Sequence, residues 1–230
     1  MSQKDLFEES NIAEPHKDAE LSADLNSDVY VLPGLAGLYE LSIEAYYSAL
    51  FARMSGLPVM MEIARYIDKV AKTADRAAAS KAAFDRGDPD VLAVLKAAYK
   101  AQHEVHRLSG LLRFNPDENG VYIARCAPDH FILPALAEHF TLRFGETPWA
   151  IVDEKRKICL YREPGCLARL VPLSDSIPMQ AGAENKNENY WEELWRLYHR
   201  SVNNEGKKNL KLQRQFMPER YHKYLPEMKK

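Results

Sequence analysis

Most of the signatures that would name an enzyme are missing from this 230-residue chain. There is no Walker loop, no GxGxxG, no GxSxG and no clustered CxxxCxxC, so nothing marks a self-contained nucleotide hydrolase, dehydrogenase or iron–sulfur enzyme. Cysteine is scarce: Cys126, Cys159 and Cys166 are odd in number and form no CxxC pair. That speaks against a disulfide framework and for a reducing compartment, with the cytoplasm expected. No apolar run approaches the roughly 18–20 residues a membrane helix needs, so no membrane association is expected. The opening MSQKDLFEESNIAEPHKDAE has acids where a secretory signal needs an apolar core.

What is present is ordinary in bulk and uneven in placement. Hydrophobic residues make up 46% and charged residues 28%, the range of a soluble globular protein able to bury a core. The net charge of −2 conceals opposite ends. Residues 1–28 hold eight acids against Lys4 and Lys17, leaving −6. Residues 207–230 hold eight bases against Glu219 and Glu227, leaving +6. A basic end of this kind can meet a polyanion although the whole is mildly acidic.

Read in order, residues 1–28 lack apolar periodicity and are expected to be disordered, ahead of one domain over 29–230. VYVLPGLAG reads as a strand or turn and LYELSIEAYYSALFARM as one helix, stopped by Gly56 and Pro58. An alanine-rich helix is expected over 58–84, with Ile63, Tyr66, Ile67 and Val70 on one face. Asp88 then caps a helix opening at Pro89 and running to about 108, broken by Ser109-Gly110. LLRF and VYIARCA, joined through Asn119-Gly120, form a hairpin, and WAIV with ICLY around DEKRK form a second. Between them Asp129 is the expected N-cap of a helix through FILPALAEHFTLRF, with Pro134 delaying its regular start. Residues 163–187 read as a loop, YWEELWRLYHRSV as a helix, and the tail as short turns broken at Pro218 and Pro226. The expected class is α+β: a small antiparallel sheet of two hairpins packed against several helices, with a helical C-terminus.

Four constellations carry possible chemistry. His103, His106, His130 and His139 suit metals, but HEVHR lacks the HExxH spacing, and no metal site is assigned. Cys126 followed by Asp129-His130 has the residue types of a thiol nucleophile, yet strand alternation makes Cys126 a packing residue. Arg113, Arg125, Arg143, Lys155, Arg156 and Lys157 alternate with Phe114, Tyr122, Phe144 and Trp149, the mixture that serves phosphates and bases. The neighbouring acids allow the same arginines to be structural ion pairs. In the tail, Lys211, Arg214 and Arg220 accompany Asn209, Gln213, Gln215 and Tyr221.

VHRLSGLLRF, VYIARCAPDHFILPALAEHFTLRF with PWAIVDEKR, and WEELWRLYHRSV followed by NLKLQRQFMPERYHKYLPE together resemble a bacterial family, domain of unknown function 4130, over about 88–228. The positions on its recurrent motifs are Arg107, Gly110, Arg113, Phe114, Asp129, His130, Pro134, His139, Phe140, Trp149, Asp153, Trp195, Asn209, Gln213, Met217, Pro218, Arg220 and Tyr221. The resemblance implies DNA metabolism or repair: an accessory protein encoded beside a radical-SAM protein, with some members fused to a uracil-DNA glycosylase-like domain. DNA, the radical-SAM protein and a uracil-DNA glycosylase are then the expected partners. The chain itself has no expected cofactor, because the iron–sulfur chemistry belongs to the partner.

Under that reading Arg107, Arg113, Arg125, Arg143, Asn209, Gln213, Arg214, Arg220 and Tyr221 are the candidate nucleic-acid contacts. Two alternatives stand beside it. One is a base-processing or hydrolytic enzyme with Asp129 or Asp153 as base and His130 or His139 as acid. The other is a docking scaffold that never touches DNA, using the WEELWRLY face and the basic tail.

Overall fold

The computed structural model of the chain describes residues 32–173, 186–207 and 209–228. The acidic segment 1–28 and the start of the expected strand at Val29 lie outside the described residues. A helical layer comes first: α1 (Leu35–Leu41), α2 (Ile43–Met54), α3 (Met60–Ala71), α4 (Arg76–Ala83) and the long α5 (Pro89–Leu111). A five-stranded sheet follows, with β1 (Asn115–Pro116), β2 (Tyr122–Cys126), β3 (Trp149–Asp153), β4 (Ile158–Arg162) and β5 (Arg169–Pro172). Helix α6 (Leu133–Phe144) lies between β2 and β3 in sequence. Helices α7 (Lys186–Val202) and α8 (Leu210–Phe216) and the 3₁₀ turns Glu219–Tyr224 and Pro226–Met228 complete the described chain.

Side-chain caps decide where the helices divide. The Ser42 hydroxyl accepts the Ala45 amide, with Ser42 itself extended, so the helix expected through 38–54 is two helices, α1 and α2. Asp75 likewise accepts the Ala78 amide at 2.8 Å and splits the helix expected over 58–84 into α3 and α4. Asp88 caps α5 as expected, accepting Asp90 and Val91 amides at 2.8 and 3.1 Å with Pro89 in the first turn. Gly110 does not end that helix; α5 continues to Leu111, because Leu108 and Leu112 are buried and draw its last turn inward.

That extra turn changes the sheet. Leu111 and Leu112 are withheld from the first expected hairpin, leaving only Asn115 and Pro116 opposite Ile123 and Tyr122. Strand β2 instead runs parallel to β3, from Tyr122 against Trp149 to Cys126 against Asp153. The antiparallel sheet of two hairpins is therefore corrected to a mixed sheet. The parallel step is possible because α6 supplies the crossover that parallel neighbours require. The β3–β4 hairpin is as expected, with Asp153 opposite Ile158, and β5 adds a strand inside the stretch read as loop.

The core lies between the helices and one face of the sheet. Leu38, Ala49, Ile63, Tyr66, Val94 and Leu108 from the helices share a cluster with Leu136 and Phe140 of α6 and Trp149, Ile151 and Leu160 of the sheet. On the opposite face Ala150, Val152 and Cys159 form a second, smaller cluster. Every residue of β3 is buried, as expected of a central strand with both faces covered. No helix among the described residues is long and apolar enough to cross a membrane.

Candidate functional site at the carboxyl ends of the parallel strands

Strands β2 and β3 point the same way, so the segments that leave their carboxyl ends emerge side by side. In open sheets with parallel strands this is where ligands collect. After β2 come Pro128, Asp129 and His130; after β3 come Glu154, Lys155, Arg156 and Lys157. The 3₁₀ turn Glu219–Tyr224 packs onto the same corner and brings Arg220, Tyr221, Lys223 and Tyr224.

One buried carboxylate organises the cluster. Glu104 projects from α5 with its side chain only 2% exposed. It accepts the backbone amides of Asp129 at 2.9 Å and His130 at 2.7 Å, and the Tyr221 hydroxyl at 2.5 Å. The Arg220 guanidinium lies 3.6 Å away. Burial and then Glu104 push the Tyr221 hydroxyl pKa well above its ordinary value, so it stays a donor. Asp129 does not cap α6, which begins after Ile132 with Pro134 in its first turn. Its amide is committed to Glu104 instead.

Around this anchor the charges interlock. Arg156 donates to the backbone oxygens of Pro128 and Asp129, at 3.1 and 2.8 Å, and to the Asp153 carboxylate at 2.8 Å. Asp153 is fully buried and also caps the β3–β4 turn, accepting the amides of Lys155 and Arg156. The His130 ring holds Ser55 O at 2.7 Å through Nδ1; a carbonyl only accepts, so Nδ1 carries the proton. Glu154 accepts Tyr224 at 2.7 Å and Lys223 at 3.3 Å, with Arg125 4.0 Å away. Burial works against its ionisation, but Tyr224, Lys223 and Arg125 outweigh it and hold its carboxyl below the ordinary range.

The candidates named from sequence are thus sorted. Asp129, His130, Asp153, Arg220 and Tyr221 come together, and Arg125 joins through Glu154. Arg113 belongs to a neighbouring clamp. It donates to Glu227 at 2.7 Å and stacks 4.5 Å from the Trp195 ring, whose Nε1 donates to the other Glu227 oxygen. Arg107 reaches Gln215 O at 3.4 Å; Asn209 caps α8 through the Leu212 amide; Gln213 contacts Met228. Arg214 is exposed, with Glu219 at 3.9 Å. His139 and Arg143 are exposed on α6, where partial desolvation by its neighbours and then the Arg143 charge lower the His139 pKa. Cys126 is buried, and burial raises its thiol pKa far above the usual range, which leaves it a packing residue. Among the described residues no three His, Cys, Asp or Glu side chains gather as a metal-ligand set.

Sequence reasoning passed over Glu104, Glu154, Lys223, Tyr224 and Glu227. Glu104 had a readable signal: Ala97, Ala101, Glu104 and Leu108 recur at helical spacing, which sets one acid within an apolar stripe. The others had none, because their partners lie 29 to 114 residues away in the chain.

Fold and site together define an α+β protein in which a C-terminal segment is clamped by carboxylates onto the end of a parallel strand pair. The chain belongs to the family described as Domain of unknown function (DUF4130), whose model it matches over residues 59–227. No curated protein and no solved structure matches it.

Proposed function

We propose that this is a cytoplasmic accessory protein of DNA metabolism or repair, working on or beside DNA with a radical-SAM partner and, in that setting, with a uracil-DNA glycosylase. The family resemblance supplies the repair context. The observation that carries DNA contact is the convergence of six bases at one corner. Arg125, Lys155, Arg156, Lys157, Arg220 and Lys223 arrive from three distant segments. Against four carboxylates, Glu104, Asp129, Asp153 and Glu154, these six bases leave a balance of +2. Because Glu104 and Asp153 are buried, the cations face solvent with only Asp129 and Glu154 beside them. A surface with that excess attracts a polyanion and positions its phosphates.

Fluorescence anisotropy with single-stranded, duplex and uracil-containing DNA over a salt series tests the reading, with the protein alone and with its partner. Binding is expected to weaken with salt. In Lys155→Gln/Lys223→Gln the log–log slope should flatten by about 0.9 for each phosphate no longer neutralised on duplex, and by about 0.7 on single strands. Absence of binding in every condition removes it.

A second reading, docking of a protein partner, is favoured by one feature. Tyr190, Trp191, Leu194, Leu197, Tyr198 and Val202 of α7 are all exposed, and exposed apolar side chains gathered on one helix are a feature of protein-contact surfaces. Association with the radical-SAM protein that survives nuclease and is abolished in Trp191→Ala/Leu194→Ala would support it.

A further inference from the structure

Asp129 places a carboxylate where two cations converge. Its Oδ2 lies 3.1 Å from Arg220 Nη2, and its Oδ1 lies 4.0 Å from Lys155 Nζ. The three side chains are 50%, 43% and 53% exposed, so the space between them is open to a solute.

The loop, the Arg220 guanidinium and the Lys155 backbone are held independently of that carboxylate. Arg220 is fixed by Tyr221, with Nη2 donating to the hydroxyl at 3.0 Å and the guanidinium 4.6 Å from the ring centre. Lys155 stands on the β3–β4 turn, whose amides Asp153 retains. The Asp129 backbone is gripped at both ends: Glu104 takes its amide and Arg156 takes its carbonyl. The side chain can therefore change rotamer while the loop, the Arg220 guanidinium and the backbone that carries Lys155 remain in position. A half-exposed ion pair of this kind adds little stability, so little opposes its opening. A phosphate group brings more acceptor oxygens, and guanidinium pairs with it through two parallel hydrogen bonds.

We propose that Arg220 and Lys155 form a phosphate-binding site in which the Asp129 carboxylate is a displaceable internal occupant. The ligand is a phosphate ester: a backbone phosphate of nucleic acid, or the phosphate of a free nucleotide. The site's chemistry follows from the charge geometry. Only the polymer as its source rests on the DNA reading above.

The test uses the full chain as wild type, Asp129→Asn and Lys155→Gln, with melting temperature as the folding control. Inorganic phosphate and a nucleoside monophosphate are titrated by phosphorus NMR, and a labelled single-stranded oligonucleotide by anisotropy. Removing the internal anion should tighten phosphate binding about fivefold or more, the scale of one unit charge at contact distance in water. Lys155→Gln should weaken it by a similar factor. Should the Asn variant melt early, Asp129→Ser supplies a second neutral side chain.

Unchanged phosphate affinity in a folded neutral variant overturns the proposal. Tighter phosphate and nucleotide binding with no oligonucleotide binding upholds the site and removes the DNA reading. Oligonucleotide binding that responds to Lys223→Gln but not to Asp129→Asn overturns the site and leaves the DNA reading standing.

Discussion

The helical layer and the C-terminal segment both carry ion pairs, and the two sets do different work. On the helices Arg65 meets Asp90 with two hydrogen bonds of 2.7 Å, and Lys69 meets Asp88 at 2.7 Å. These pairs sit in solvent above a core that already holds α3 against α5 through Ile63, Tyr66, Ile67 and Val70. In the C-terminal segment the order is reversed. Glu104 and Glu227 have side chains only 2% exposed, and the chain from Arg220 to Glu227 is attached to the domain through them. Tyr221, Leu225 and Pro226 are buried behind these carboxylates. Similar pairs therefore have different consequences: at the surface, solvent replaces a missing partner, whereas inside it does not.

Four substitutions sharpen or break that comparison. The largest expected loss comes from Glu104→Ala, which strands two amides, a phenol and a guanidinium. Breaking a buried charged network costs about 3–5 kcal/mol, so the unfolding free energy obtained from urea titration should fall by that amount. A loss under ~1 kcal/mol would mean that solvent reaches this corner and would sink the distinction. Next is Ile63→Ala, a cavity in the apolar layer with an expected cost of about 2–4 kcal/mol in the same measurement and no effect on the C-terminal segment.

Glu227→Gln comes third, at about 1.5–3 kcal/mol for hydrogen bonds made to a charged group. Its pH dependence has a definite sign. Burial alone would raise the Glu227 pKa, but Arg113, its own amide and Trp195 outweigh it and hold the folded value below the ordinary 4.5. The contribution is then fully present above 4.5 and disappears as pH falls through the lower folded value. Melting curves of wild type and variant should differ by a constant amount at neutral pH and converge in acid. The smallest effect belongs to Arg65→Gln, below about 1 kcal/mol, and a double-mutant cycle with Asp90→Asn should return a similarly small coupling.

How much of this is legible in the chain depends on the range of the cause. The Asp88-Pro89 start of α5 needs only residues two and three positions away, and the sequence reading of it holds. So does the packing role of Cys126, read from strand alternation, although the residue is fully rather than half buried. The break at Ser42 is equally local, yet a continuous apolar periodicity hides it. Gly110 misleads for the opposite reason: a weak local preference to stop yields to the burial of Leu108 and Leu112. At the candidate site, Asp129, His130, Arg220 and Tyr221 are visible from sequence, whereas their organiser shows only as one acid within an apolar helical stripe. A glutamate on a helix is ordinarily solvated, and the partners that hold this one inside, the Asp129 and His130 amides and Tyr221, lie 25 to 117 residues away.

The sequence by itself determined the helix-forming stretches, the Asp88 cap of α5, the β3–β4 hairpin and the polarity of charge between the two ends. Each of these rests on interactions within a few residues or on composition alone. Tertiary structure decided that β2 lies parallel to β3, that α6 is the crossover between them, and that a distant tail closes over their carboxyl ends. Those choices depend on which apolar faces meet and which buried carboxylates find partners. Such energies arise only after remote segments have come together.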